Sequence, residues 1–214
     1  MSRSLQVGDR TLVVMILWGA GFAPVLAVAA RLSVAIAMAP LVTALLATAA
    51  ALISLGLSSG FGSTFVAVIA LANIAAIAVL RRKGLDSIDT GGGLVPIGVA
   101  VAVGVLAGMA LKVPPVSWDA RSIWLFQSEW IAQGGDGFRA ALENDAFAFA
   151  HRDYPKLVPA VGAIALSFSA DDYSLGQFAF GVLSISGVTT LVAVVLWASR
   201  RLSPAVELPA VVES

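Results

Sequence analysis

The sequence predicts an all-α integral membrane protein with about five transmembrane helices and two interfacial amphipathic helices in one extracytoplasmic loop. Three observations carry this. Of 214 residues, 59% are hydrophobic and 12% charged, and the mean hydropathy is +0.93. A soluble domain carries about twice that charged fraction. The apolar residues gather into runs of the length, about 20 residues, that crosses roughly 30 Å of hydrocarbon as a helix. One long polar stretch, 114–157, interrupts them.

Five runs qualify: about 12–30, 33–57, 61–80, 94–113 and 174–198. The first is a retained span, because it runs from Leu12 to about Ala30, longer than the apolar core of a cleaved signal. Abundant Gly and Ala allow the helices to approach closely in lipid. Pro24, Pro40 and Pro96 lie within or near the ends of these runs and are expected to kink them. Neighbouring helices can satisfy the carbonyls so freed. Asn73, the strongly polar side chain near a span centre, is expected to hydrogen-bond between helices. The organisation is a four-span bundle over 1–113, a loop over 114–173, a last transmembrane helix over 174–199 and a polar cytoplasmic tail over 200–214.

Two helices are expected in the loop. Pro114-Pro115 end the fourth span, Ser117 or Asp119 can cap a helix over about 119–133, and Gly134-Gly135 stop it. At a helical period Asp119, Ile123, Phe126 and Trp130 share one face, and Arg121, Ser128 and Glu129 point away. The second helix, over about 155–170, contains the apolar run Leu157 to Phe168. That run is about 12 residues or 18 Å of helix, too short to cross, so it lies in the interface or re-enters.

Basic residues set the orientation. Arg31, Arg81, Arg82, Lys83, Arg200 and Arg201 fall on one side, which the positive-inside rule makes cytoplasmic. The loop and the N-terminus, with Arg3 and Arg10, are then extracytoplasmic at the plasma membrane. The formal net charge is zero, so no nucleic-acid partner is implied. The absence of cysteine excludes disulfides, thiolate catalysis and Cys-ligated metal, and the single histidine, His151, excludes a multi-His site.

Chemistry is expected in the polar loop, where Trp118, Trp124 and Trp130 stand among charged residues. The tryptophans read as an interfacial belt. Asp119 reads either as a helix cap or as a general base toward an acceptor hydroxyl. The turn "HRDYPKLVP", His151 to Pro159, reads either as a polar turn with Asp153 capping and Tyr154 anchoring, or as a second cluster converging with Asp119 on one cavity. His151 and Asp153 offer two ligands to a divalent metal, which leaves the cofactor unknown.

The order of these features resembles the N-terminal module of polyprenyl-phosphate-dependent GT-C glycosyltransferases. It is most similar to the actinobacterial type with W-D-A-x-x-I-W followed by H-P-D-Y-P-L-L-x-P. Here the motifs are Trp118-Asp119-Ala120-Arg121-Ser122-Ile123-Trp124 and His151-Arg152-Asp153-Tyr154-Pro155-Lys156-Leu157-Val158-Pro159, and the resemblance covers about 114–202. It implies transfer of a sugar from a polyprenyl-phosphate donor at the extracytoplasmic membrane face, with Asp119 as catalytic base. It further implies that Trp118, Arg121, His151, Asp153, Tyr154 and Lys156 bind substrate. His151, Asp153 and Tyr154 would shape the acceptor or phosphate site, and Arg121 or Lys156 would pair with phosphate. The implied partners are membrane lipid, the polyprenyl-phosphate sugar and a second membrane chain completing the site. Arg152 replaces the family's proline, and the chain ends in "SPAVELPAVVES" soon after the first span beyond the loop, where GT-C enzymes continue. The alternative expectation is therefore a non-catalytic subunit or split fragment of such an enzyme. A small transporter is the least favoured reading, because the spans almost lack ionisable residues.

Overall fold

The structure, a computed structural model, describes residues 3–90, 98, 119–168 and 173–202. Its elements are helical: α1 (Arg3–Ala29), α2 (Leu32–Leu57), α3 (Phe61–Lys83), a π-helical turn (Ala120–Leu125) running into α4 (Phe126–Ala132), α5 (Gly135–Glu143), α6 (Leu157–Leu166) and α7 (Tyr173–Leu202). Short 3-10 turns occupy Leu85–Ser87 and Asp145–Ala150. Four stretches among the described residues are long and apolar enough to cross a membrane: Asp9–Ala29, Leu32–Leu57, Phe61–Lys83 and Tyr173–Val192. The protein is thus an all-α membrane protein. The span expected over 94–113 lies outside the described residues, apart from Gly98.

Small residues bring α1 and α2 together. A Cβ on Gly21 would fall onto the Ala39 carbonyl, so only glycine fits there. The buried face of α2 is mostly alanine, including Ala35, Ala39, Ala44, Ala47 and Ala51. Thr43 Oγ1 donates to the Leu17 carbonyl at 2.8 Å across this contact.

The prolines are matched by donors. Pro24 has no N–H, so the Ala20 carbonyl, four residues earlier, loses its helical partner. Asn73 Nδ2 of α3 donates to it at 3.1 Å, and to its own helix at Ile69 at 2.9 Å. Pro40 frees the Ile36 carbonyl in the same way, and Trp18 Nε1 of α1 donates there at 2.9 Å. The next carbonyl, Ala37, accepts from Ser186 Oγ at 2.6 Å and Thr190 Oγ1 at 3.2 Å of α7. The carbonyl freed by each proline is therefore taken up by an interhelical hydrogen bond, as expected for Asn73.

Helix ends are sealed by cations. Lys83 Nζ donates to the Ala27 carbonyl near the end of α1 at 2.8 Å, and Arg139 Nη2 of α5 to the Leu55 carbonyl near the end of α2 at 2.6 Å. Cations at helix C-termini also favour the local dipole. Beyond α1, Ala30 takes a left-handed φ of 51°, and Arg31 pairs with Asp89 at 3.3 Å. At the opposite end of α2, α5 sits on the α2–α3 turn: Gly135 lies so close that a Cβ would meet the Ser54 carbonyl. Its amide donates to Ser59 at 2.8 Å.

The loop is more helical and more enclosed than its composition indicates. The helix expected over 119–133 ends as read, at Ala132 followed by Gly134 with φ 90°. A further helix, α5, then follows where a loop was expected. The short helix α6 has ten residues, and every residue from Pro159 to Leu166 is buried, with α2, α4 and α7 around it.

Candidate functional site

The first cluster is built on the π-helical turn. Asp119 precedes it with φ −61° and ψ −42°, already helical, and makes no capping bond. A capping residue needs extended backbone and a side-chain oxygen on a first-turn amide. The capping role is therefore not performed, and the carboxylate stands exposed. Arg121 is exposed as well, and Trp118 and Ser117 lie outside the described residues.

The same turn changes the expected faces. Ile123 is 5% and Trp130 3% exposed and Phe126 half-buried, but Asp119 is not buried with them. Bonds from residue i to i+5 take more residues per turn than an α-helix, so residues before the turn are rotated off the α-helical stripe. Ser128, expected to point away, is fully buried. The reason is α6: Gly162 packs against Ser128 and Phe180, closing a second side of α4. The Ser128 hydroxyl is satisfied within its own helix, donating to Trp124 at 2.7 Å.

Nor is Trp130 an interfacial ring. It lies in an aromatic cluster with Phe126 at 4.9 Å and Phe147 at 5.4 Å. The 3-10 turn of "DAFAFA" delivers Phe147 and Phe149 to it. Trp124 alone of the described loop tryptophans keeps a partly open ring.

The second cluster hangs from His151, which ends the 3-10 turn in the left-handed region with φ 49°. Its carbonyl accepts from the Tyr154 amide at 2.9 Å, forming a tight turn. The rings of His151 and Tyr154 stack at 4.6 Å and 17°. Tyr154 in turn meets Trp124 at 5.8 Å, so the aromatic column His151–Tyr154–Trp124 joins the two clusters. Arg152 faces elsewhere, donating to the Leu142 carbonyl at 2.7 Å and pairing with Asp145 at 3.2 Å. Through these two contacts it braces the turn. Asp153 is exposed, and α6 begins with no side-chain cap, so Asp153 does not cap it.

A second tie is polar. Gln127, fully buried on α4, donates through Nε2 to the carbonyls of Ala150 at 2.5 Å and His151 at 2.9 Å. Its Oε1 accepts from Lys156 Nζ at 2.8 Å, and Lys156 also donates to the Arg152 carbonyl at 2.6 Å. Desolvation lowers the pKa of Lys156 below the ordinary lysine value, against a smaller opposing effect of Asp153. Sequence reasoning missed Gln127. Its one signal is position: it is a polar residue in the stripe Ile123, Gln127, Ile131, whose other members are apolar. Glu129 was assigned no role, and it accepts from the Tyr173 hydroxyl at 2.6 Å.

The structure thus unites Trp124, Gln127, His151, Tyr154 and Lys156. It leaves Asp119, Arg121 and Asp153 exposed, with their side chains uncommitted to hydrogen bonds. Among the described residues no group of three His, Asp or Glu side chains is arranged to hold a metal ion. No protein-family model, curated protein or solved structure matches the chain.

Proposed function

We propose that the chain is a GT-C-like membrane glycosyltransferase module that transfers a sugar from a polyprenyl-phosphate donor at the extracytoplasmic membrane face. The observation that carries this is Asp119. Its carboxylate is exposed, performs no capping and stands five residues before Trp124, whose ring joins the Tyr154–His151 stack. A carboxylate without a structural task in a membrane-protein loop, two residues before Arg121 and five before Trp124 in sequence, suits a general base. In the reaction it takes the proton of an acceptor hydroxyl. The hydroxyl oxygen attacks the anomeric carbon, the bond from that carbon to the phosphate oxygen breaks, and polyprenyl phosphate leaves. His151, Asp153 and Tyr154 are assigned to the acceptor, and Arg121, exposed like Asp119, to the donor phosphate. The extracytoplasmic assignment draws on the position of Arg31 and Lys83 at the opposite end of α2 from α5.

The test is Asp119→Asn, assayed with a panel of polyprenyl-phosphate sugars in membranes that contain any partner chain. Transfer should fall by about 2–4 decades, the scale of a positioned base. Melting should stay unchanged, in Asp119→Ala as well, because no cap is lost. Unchanged transfer in Asp119→Asn would acquit this carboxylate. No transfer by the wild type with any donor would favour the alternative, a non-catalytic subunit or fragment of such an enzyme.

A further inference from the structure

Asn73 stands near the middle of α3, about 15–18 Å from either end of the span Phe61–Lys83. Its amide nitrogen is fully used. Nδ2 donates to the Ala20 carbonyl of α1 at 3.1 Å and to the Ile69 carbonyl of its own helix at 2.9 Å. Both partners are carbonyls, which fixes the orientation of the amide. The oxygen is left over: Oδ1 accepts from no donor among the described residues. Nor is it sealed in the interior. The half-buried Asn73 leaves Oδ1 at the surface of the bundle.

That surface is apolar. Val66, Ala70 and Ile77 are exposed and share the Asn73 side of α3 at helical spacing. Of the four described spans, α3 is the least enclosed by its neighbours. Hydrocarbon offers no hydrogen-bond donor and holds no water to replace one, so an unpaired amide oxygen at this depth is unfavourable. The remaining apolar stretch of the chain cannot supply a donor either. Residues 94–111 are all Gly, Ala, Val, Leu, Ile, Met or Pro, and none has a side chain that donates. The missing donor therefore has to come from another transmembrane chain.

We infer that α3 pairs with α3 of a second copy of this chain, with Asn73 at the two-fold axis. A carboxamide carries both a donor and an acceptor, so it is complementary to itself. Across a two-fold axis each Oδ1 accepts from Nδ2 of the other copy, and one symmetric contact satisfies both oxygens. The hydrogen for it is at hand. Within the helix the Ile69 carbonyl already accepts the Asn73 main-chain amide, so the Nδ2 hydrogen directed at Ile69 can turn to the other copy. The bond to Ala20 stays, and with it the contact between α1 and α3. Small residues leave room for the approach: Ala70 is exposed on this side, and a Cβ on Gly62, also on this side, would meet nothing within 4 Å. The pairing depends neither on Asp119 nor on sugar transfer.

The experiment is disulfide trapping of the full chain in isolated membranes. The chain has no cysteine, so each introduced one reports alone. On mild oxidation Val66→Cys and Ile77→Cys should each give a disulfide-linked dimer. Leu71→Cys, 69% exposed but about 160° around the helix from Asn73, should stay monomeric. A second arm isolates the amide. Pro24→Ala gives the Ala20 carbonyl a helical partner again, so Asn73→Leu in that background removes the contact between copies without stranding Ala20. Copies labelled with donor and acceptor dyes at Asp86→Cys, an exposed position, are diluted with lipid in vesicles and read by energy transfer. The double variant should dissociate about tenfold more readily than Pro24→Ala alone, the scale of two interhelical hydrogen bonds. If the double variant fails to fold, the trapping arm still decides. No dimer at either Val66→Cys or Ile77→Cys would overturn the pairing, and is the result expected if 94–111 of the same chain covers this side. Trapping at Leu71→Cys as complete as at Ile77→Cys would reduce it to random collision. Equal dissociation of Pro24→Ala with and without Asn73→Leu would overturn the role of Asn73 at the axis.

Discussion

At the scale of single residues, Lys156 sets a pH dependence of stability. Its folded-state pKa lies below the ordinary lysine value because burial disfavours the charged form. Between the folded and the unfolded pKa the unfolded chain binds more protons, so stability rises with pH across that window. Below the folded pKa the charged, half-buried ammonium weighs fully against folding. The expected outcome is that Lys156→Met melts higher than wild type at neutral pH without ligand, and that the gap narrows as pH climbs toward the ordinary lysine range. A gap that widens with pH would reverse the sign and contradict the desolvation account. Such residues were only partly legible. Lys156 could be singled out only through the motif His151 to Pro159 in which it stands. Gln127, its buried partner, did not, because one polar residue in an apolar stripe carries no mark of what it will meet. Asp119 was ambiguous for a related reason: an acid at a helix start has the same local sequence whether its backbone is extended and capping or already helical.

At the scale of elements, the proline-containing helices show how sequence and packing were matched. Pro24 and Pro40 each free one carbonyl in the middle of an apolar bundle, where water cannot replace the lost donor. The nearest suitable donors, Asn73 and Trp18, come from neighbouring helices. This coupling is testable as a double-mutant cycle. Asn73→Leu should cost about 1 kcal/mol, in the range of interhelical hydrogen bonds in membrane proteins. In a Pro24→Ala background the residue-24 amide can again serve the Ala20 carbonyl, and the same substitution should cost much less. Unfolding in mixed detergent measures both, and identical costs in the two backgrounds would show that Asn73 acts elsewhere. The prolines, the membrane-length runs and the ends of α2, α3 and α4 were readable because each has a local chemical marker. The π-helical turn and α5 were not. The first amounts to a change of one residue in hydrogen-bond spacing, with no compositional signature. The second begins with Gly135, and glycine marks a loop unless, as here, close approach to another backbone requires a small residue.

At the scale of the whole molecule, α2 separates two ends of different character. One end holds Arg31, paired with Asp89, and Lys83 folded back on α1. Arg81 and Arg82 are exposed beside them at the end of α3. The other end holds the α2–α3 turn with α5 seated on it, and the described loop over 119–168 carries six acidic and four basic residues. Positive charge at short loops is retained in the cytoplasm, whereas a loop of mixed charge is free to cross. The expected orientation therefore places Leu85–Ser87 inside and α5 outside. The chain has no cysteine, so single substitutions report cleanly. Asp86 and Asp136 are both exposed, and neither makes a hydrogen bond or ion pair within the described structure, so cysteine at either should leave the fold intact. In intact cells an impermeant thiol reagent should label Asp136→Cys and spare Asp86→Cys, and after permeabilisation it should label both. The reverse pattern would put the His151–Tyr154–Trp124 column and Lys156 on the cytoplasmic side. A polyprenyl-phosphate sugar presented at the outer face would then be out of reach, and the proposed transfer would fall with the topology, whatever Asp119 does.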